Sequence, residues 1–323
     1  MRAEEWELTT LEERRREQRG RIRRLRRHWA DFGPALLYML PGLALLAAFT
    51  YIPFVRAIYL SFFVVNRNTF RPSHFMGLAY YLRVFNIGDS PFGDIYLHSL
   101  LTTASFTLMV VPLSIAAAVG LALLAQAKLR KIGIFRTIFT TTVTISIASA
   151  SVIWSLIYSP NVGLFNGLLK TFHLNSTSLL TDSHTALAAV ALTTIWTSLG
   201  FNFVIALAGL QAIPKDLYES AMIDGAGHWR TFRRVTVPML GPTLLFLLVI
   251  ATIACLQAFT QFKVLIDSVG PDRSTAAFVY AIFDAFWVQN DYGFASAMSV
   301  VLFLVILGLT IMQLRLDRKV HYQ

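Results

Sequence analysis

Residues 212–236 place charged side chains and glycines between two long apolar stretches. Pro214 suits the first turn of a helix, and Asp224-Gly225 is a turn signal, so the segment predicts two short helices joined by a turn. Apolar side chains accompany the charges although no membrane-spanning stretch covers them: Ala221, Ile223, Ala226, Trp229 and Phe232. An exposed patch that mixes charged and apolar groups is typical of a protein-binding surface.

A second set of candidate residues offers hydroxyl, amide, thiol and aromatic groups inside two apolar stretches. Its members are Thr194, Trp196, Thr197, Ser198, Phe201, Asn202, Cys255, Gln257, Ala258 and Gln261. In the first apolar stretch, the spacing i, i+3, i+4, i+7 connects Thr194, Thr197, Ser198 and Phe201, which therefore share one helical face. In the second, Cys255, Ala258 and Gln261 are spaced in a comparable way. Such faces could meet a neutral polar solute. Close packing between helices is the alternative for each residue taken alone.

The elements that must position these groups are long apolar helices. Six stretches contain no Asp, Glu, Lys or Arg, namely residues 34–55, 97–127, 137–158, 186–211, 237–262 and 292–314. Each is as long as the roughly 20 residues that a helix needs to cross a hydrocarbon core. Only 14% of all residues are charged and the mean hydropathy is +0.58, so a soluble helical protein is a poor alternative. We expect an all-α integral membrane protein with six transmembrane helices, and a short outer helix within residues 276–288.

The basic residues predict the topology. If the first 32 residues are cytoplasmic, 21 of the 28 Lys and Arg residues fall on the cytoplasmic side, as the positive-inside rule requires. This predicts a basic cytoplasmic segment at 1–32, a transmembrane domain at 33–315 with a cytoplasmic loop at 212–238, and a cytoplasmic tail at 316–323. The arginines of segment 1–32, which includes a possible Thr10/Glu13 capping box, suit contact with acidic lipids. Nucleic acid is not an expected partner, because no recognition module accompanies them.

The spans lack the groups that several transport and catalytic mechanisms need. Proton- or sodium-coupled carriers usually place an ionisable group or an unwound ion site inside the membrane, which disfavours a secondary carrier or channel without excluding it. No His/Asp/Glu cluster offers an acid and a base for an enzyme embedded in the membrane. The single cysteine, Cys255, permits no disulfide, and no metal site is expected.

The segment at 212–238 resembles the signature cytoplasmic loop of the membrane subunits of bacterial ABC importers. The similarity rests on Glu219-Ser220-Ala221-x-x-Asp224-Gly225-Ala226, followed by Phe232 and Pro238, with Ser220 where the family usually has alanine. Gly77-Leu78 followed by Tyr80-Tyr81 resembles the family's Gly-Leu-x-Asn-Tyr loop, whereas Gly270-Pro271 and Tyr292-Gly293-x-Ala295-Ser296-Ala297 resemble its carbohydrate-importer branch. The tail 317–323 is similar to that of the A-type subunit of glycerol-3-phosphate importers.

This resemblance implies a type I ABC importer permease fold and its partners. Those are a second permease subunit, two ATPase subunits that carry ATP and Mg²⁺, and an extracytoplasmic solute-binding protein, in a bacterial or archaeal plasma membrane. The chain has no Gly-x-x-x-x-Gly-Lys-Ser/Thr phosphate loop, so ATP hydrolysis is expected in the partner. The resemblance implies that Glu219 pairs with a basic ATPase residue, that Ala221 permits close approach and that Gly225 turns the chain. In maltose-type relatives the stretch around Thr194–Phe201 contacts sugar, so the resemblance implies a sugar or a related polyol or glycerol-phosphate solute; the absence of a basic side chain in the spans disfavours the phosphate.

Overall fold

The computed structural model describes residues 34, 36–68, 71–85, 93–126, 132–160, 163–171, 179–267 and 270–320. The chain divides into two compact units, Met1–Tyr59 and Leu60–Gln323. The described part of the first unit is an apolar helix, α1 (Leu36–Leu60), which contains a π-helical turn at Ala47–Tyr51. Segment 1–32 and its predicted capping box lie outside the described residues.

The second unit begins with a short antiparallel hairpin, β1 (Phe63–Val65) and β2 (Pro72–Phe75), in which Phe63 pairs with Phe75. The helices that follow are α2 (Ala79–Val84), α3 (Gly93–Ala125), α4 (Ile132–Thr141), α5 (Ile147–Tyr158), α6 (Leu164–Thr171), α7 (Ala186–Gln211), α8 (Lys215–Ile223), α9 (His228–Met239), α10 (Gly241–Leu256), α11 (Thr260–Leu265), α12 (Phe278–Trp287) and α13 (Tyr292–Val320). The expected short helix within 276–288 is α12. Helix α13 continues through Val320, so the first residues of the predicted tail are helical.

Four of these helices, α1, α3, α7 and α13, are each long and apolar enough to cross a membrane. Two helix pairs meet the same test only when each pair is taken together, and both pairs are bent: the segment Ile132–Thr144 meets α5 at 104°, and α9 meets α10 at 65°. The described residues thus provide up to six spans by length and composition. The sequence had predicted continuous helices over 137–158 and 237–262, so the bends are a correction to both.

Hydroxyl side chains are concentrated around the 104° bend between the segment Ile132–Thr144 and α5. Seven of them in the third span donate to a carbonyl three or four residues earlier in the same segment, namely Thr137, Thr140, Thr141, Thr142, Thr144, Ser151 and Ser155. Such bonds compete with the regular backbone pattern and often bend helices. At the other bend, Pro238 and Pro242 flank Leu240, and proline removes a backbone donor.

Helix α3 organises the interior of the second unit, because three buried clusters succeed one another along it. Tyr96 packs with Phe294 and Tyr80 near its start, Phe106 packs with Phe262 midway, and Ala122 and Ala125 contact α7 and α10 near its end. The hydroxyl of Thr103 accepts the first backbone N–H of α12 at 2.8 Å. Within the second unit, helix α3 is therefore a common wall against which α7, α10 and α12 pack.

The start of α13 is held by Asp291. Its carboxylate accepts the Phe294 N–H at 3.2 Å and the Tyr80 hydroxyl at 3.3 Å, and it lies 3.5 Å from the Arg83 guanidinium. Burial first, and then the neighbouring carboxylate, raise the pKa of Tyr80 to about 12. Tyr80 therefore remains a protonated donor at neutral pH, and this capped helix start ties α13 to α2.

Gly200 of α7 fits against the bend of the third span. A Cβ at this position would meet the Thr142 hydroxyl and would lie 2.7 Å from the backbone nitrogen of Val143. Backbone atoms cannot turn away as a flexible side chain can. The close approach of α7 to the bend therefore requires glycine.

We predict that Gly200→Ala lowers the thermal stability of the purified chain in detergent, because the methyl group forces the bend away from α7. Overpacking of this kind costs about 1–3 kcal/mol, which corresponds to an apparent Tm lower by several degrees. The matched control is Gly120→Ala in α3, where a Cβ meets nothing within 4 Å and alanine favours the helix. Equal melting temperatures for the two variants would contradict the proposed contact.

Candidate functional site

The loop between α7 and α10 contains a helix with a defined end. Pro214 is the N-cap residue of α8, with φ −58° and ψ 136°. The helix therefore begins at Lys215, one residue later than it would if the proline occupied the first helical position. At the other end Gly225 adopts φ +71°, the Ala226 N–H donates to the Ala221 carbonyl at 2.9 Å, and the Gly225 N–H donates to the Met222 carbonyl at 3.1 Å. This pair of bonds is the Schellman motif. The Asp-Gly-Ala part of the loop is thus the structural terminator of α8, which the sequence identified only as a turn.

The outer surface of α8 mixes charge with exposed apolar groups. Glu219, Ser220 and Asp224 are exposed, and Met222 and Ile223 are 66% and 86% exposed. The Ser220 hydroxyl donates to the Asp216 carbonyl at 2.8 Å, so this hydroxyl is satisfied within the helix. The predicted patch exists in this chain, with Ala221 and Ala226 half-buried beneath it.

Helix α9 returns the chain from α8 to the membrane-spanning α10. The hydroxyls of Tyr218 and Thr236 lie 3.3 Å apart and connect the two short helices. Phe232 is half-buried with its ring 5.6 Å from that of Trp229, and Pro238 is exposed just before the bend. The second of the two predicted short helices extends to Met239, because a π-helical turn at Phe232–Thr236 carries it on into the turn at Val237–Met239.

A cavity of about 250 Å³ lies between α3, α5, α7 and the region where α10 ends. Nine of the ten residues predicted for a solute route line it: Thr194, Thr197, Ser198, Phe201, Asn202, Cys255, Gln257, Ala258 and Gln261. Trp196 does not, because its ring packs against Trp154 with centroids 5.9 Å apart. The i, i+3, i+4, i+7 face of α7 thus points into one cavity.

The second stripe reaches the same cavity for a different reason. We expected Cys255, Ala258 and Gln261 on one continuous helix, but α10 ends at Leu256 and α11 begins at Thr260. The interruption turns Gln257 and Phe259 towards the cavity. Non-helical backbone at membrane depth is tolerated where it is buried in protein or lines a polar space. Three polar side chains, Gln257, Thr260 and Gln261, lie at or beside this break.

The cavity offers neutral polar groups. The hydroxyls of Thr194, Thr197 and Ser198 donate to carbonyls of their own helix at 2.8–3.0 Å, which leaves their oxygen lone pairs as acceptors. Asn202 is 3% exposed, and its Nδ2 has no hydrogen-bond partner among the described residues. A buried donor without a partner costs free energy, so it points to a ligand or water in the cavity.

Sequence reasoning missed part of the lining. Val110 and Ser114 of α3, Ile147 of α5, Ile250, Ala251 and Ala254 of α10, and Phe259 and Thr260 complete the wall. No charged side chain is among the lining residues. Most of the missed ones are apolar and give no sequence signal, since only the packing of α3 and α5 against α7 brings them to the site. Among the described residues, no group of three His, Cys, Asp or Glu side chains could hold a metal ion.

The comparisons with known proteins identify the family. Residues 92–322 match the family described as binding-protein-dependent transport system inner membrane component. The chain is 31% identical to the trehalose/maltose transport system permease protein MalF of Thermococcus litoralis, over 87% of this chain and 92% of that protein. It is 32% identical to the sn-glycerol-3-phosphate transport system permease protein UgpA of Rhizobium meliloti, over 88% of this chain and 95% of that protein.

Solved structures share the fold. A chain of a bacterial ABC transporter involved in the import of the acidic polysaccharide alginate superposes with a TM-score of 0.76 at 23% identity, covering 91% of this chain and 99% of that one. The same kind of transporter in complex with an alginate pentasaccharide-bound periplasmic protein gives 0.74 at 21% identity, covering 91% and 98%. The expected type I permease fold is thereby confirmed. The chain belongs to the family of inner membrane components of binding-protein-dependent transport systems.

Proposed function

We propose that this chain forms half of the solute pathway of an ATP-driven importer and transmits the movement of a separate ATPase subunit to a cavity for a neutral sugar or polyol. The observation that carries the proposal is the position of α8. It lies in the chain directly between α7 and the α9–α10 pair, and both α7 and α10 line the cavity. A displacement of α8 therefore reaches two cavity walls through covalent connections.

Helix α8 is the proposed docking element for the ATPase. Glu219 supplies an exposed carboxylate that a basic residue of the partner can pair with, and Met222 and Ile223 supply apolar area that the partner can bury. The Schellman end at Gly225 fixes where the helix stops, so the exposed groups are presented in one orientation. Closure of two ATPase subunits on ATP and Mg²⁺ would displace α8 and rock the attached spans between inward-open and outward-open states.

The proposed substrate is neutral and hydroxyl-rich. Hydroxyl acceptors on α7, the free Nδ2 of Asn202 and the amides of Gln257 and Gln261 match sugar hydroxyls, which both donate and accept. Phe201 and Phe259 add aromatic faces. From Phe259 a row of rings continues to Phe283, at 5.1 Å, and to the 67% exposed Trp287, at 6.5 Å from Phe283.

The names of the two relatives mention two classes of substrate, trehalose/maltose and sn-glycerol-3-phosphate. A phosphate group favours charge-assisted donors, and the cavity lining contains no basic side chain. Lys263, on α11 beside the cavity, is already paired with Asp267. A sugar or uncharged polyol therefore fits this chain better than glycerol phosphate, for which a partner subunit would supply the positive charge.

The proposed assembly contains a second permease subunit, two ATPase subunits and an extracytoplasmic solute-binding protein. Its support is the family's dependence on a binding protein and the solved relative in complex with a periplasmic protein. We place both termini and the 212–238 loop in the cytoplasm, because this orientation puts 21 of 28 basic residues inside. ATP and Mg²⁺ belong to the ATPase subunits in this proposal.

We predict that Glu219→Lys impairs assembly with the ATPase or uncouples ATP hydrolysis from uptake, because charge reversal opposes a basic partner. Removing one member of a buried charged contact costs about 3–5 kcal/mol. Co-purification of the ATPase with the tagged chain and ATP-driven uptake both test this. The control is Asp284→Lys in α12, whose carboxylate accepts a bond from the exposed Gln289 side chain and which is expected to leave ATPase co-purification unchanged. Normal assembly and uptake by Glu219→Lys would refute the role of α8.

We predict that Asn202→Leu weakens solute recognition, because the cavity loses its unpartnered donor. One hydrogen bond contributes about 0.5–1.5 kcal/mol, so the solute concentration for half-maximal uptake is expected to rise by up to about tenfold. Gln211→Ala, at the exposed end of the same helix, is the control with wild-type uptake expected. An unchanged concentration dependence in Asn202→Leu would exclude this side chain from the solute route.

A further inference from the structure

Helix α9 has the geometry of a segment that lies along a membrane surface. It meets the span α10 at 65°, so when α10 crosses a bilayer, α9 runs closer to the membrane plane than to its normal. Its 12 residues extend over roughly 18 Å. Leu240 alone separates the two helices, so α9 stays next to the membrane end of α10.

The two faces of α9 differ. Thr236 is buried, and Thr231 and Phe232 are half-buried against the neighbouring helices. The other face exposes one large aromatic ring and three guanidinium groups, namely Trp229, Arg230, Arg233 and Arg234. Trp229 is 74% exposed. Within the part of the chain that the structure describes, no ion pair involves these three arginines.

We propose that this face of α9 binds the headgroups of anionic phospholipids in the leaflet beside it. The planar guanidinium group binds phosphate oxygens through two parallel hydrogen bonds. Tryptophan prefers the headgroup level of a bilayer, and basic clusters directly beside a span are attracted to acidic lipids. Segment 1–32 was the expected lipid contact, whereas α9 is a separate site in the described part of the chain.

The position of the arginines favours lipid over the ATPase as their partner. Arg234 lies about two helical turns from the start of α10, and the exposed Val237 and Pro238 between them suit an apolar boundary. The most exposed apolar groups of the loop, Met222 and Ile223, are on α8 instead. Lipid would thus hold α9 at the membrane while α8 moves with the ATPase. Lipid binding by α9 does not depend on the proposed function. Only the statement that lipid holds α9 while α8 moves rests on that function.

The test uses the full-length chain carrying Arg230→Gln, Arg233→Gln and Arg234→Gln together. The chain is reconstituted in nanodiscs that mix phosphatidylcholine with phosphatidylglycerol, and the phosphatidylglycerol that stays bound on transfer to detergent is counted by mass spectrometry. We expect the variant to lose the phosphatidylglycerol held at this face of α9 and so to retain fewer molecules per chain than wild type, since each basic residue near the surface contributes to the attraction. The control, Arg67→Gln with Arg71→Gln and Arg273→Gln, removes the same charge from exposed positions elsewhere and is expected to retain the wild-type amount.

Two further measurements make the result decisive. A photoactivatable phosphatidylglycerol in nanodiscs of the wild-type chain is expected to label the peptide around Trp229, which tests the site even if the triple variant misfolds. Co-purification of the ATPase with the triple variant tests the other possible partner. Equal lipid retention by variant and wild type, or lipid labelling elsewhere only, would overturn the proposal. Loss of the ATPase with unchanged lipid retention would assign the arginines to the ATPase interface instead.

Discussion

A membrane-spanning helix can be interrupted only where protein or water satisfies the backbone groups that the break leaves unpaired. In the described residues of the second unit, interruptions stand at Thr144, Leu240 and Gln257. The first packs on Gly200 beside the cavity, the second joins α9 to α10, and the third lines the cavity itself. The irregular backbone is therefore concentrated at the cavity and at the loop that carries α8.

In the proposed mechanism, this arrangement lets one short helix influence a distant cavity. The chain passes from the cavity face of α7 into α8, returns through α9 and reaches the cavity again at the end of α10. The bonds that terminate α8 at Gly225, and the contact between Tyr218 and Thr236, make the loop a defined body rather than a slack connection. A displacement imposed on α8 is thus shared between two walls of the same cavity, with the third span held against α7 at its bend.

The sequence was sufficient for the helical class, for four of the six predicted spans as single long helices, and for most of the polar lining of the cavity, because each depends on local composition or on helical spacing. It did not reveal the two bends or the break after Leu256, since these depend on hydroxyl bonding, proline position and packing against α7. Trp196 is the one predicted lining residue that does not line the cavity. It lies between two cavity-facing residues of α7 in the sequence, but its ring packs against that of Trp154. The apolar wall from α3 and α5 depends on tertiary packing alone.

The most direct test of the account is solute uptake by proteoliposomes that contain the complete complex and its binding protein. The panel would include sugars, sugar alcohols, sn-glycerol-3-phosphate, amino acids and peptides, each measured with and without internal ATP. The account predicts accumulation of a sugar or polyol that requires both ATP and the binding protein. Accumulation of an amino acid or peptide instead, or ATP-independent transport by this chain alone, would contradict it.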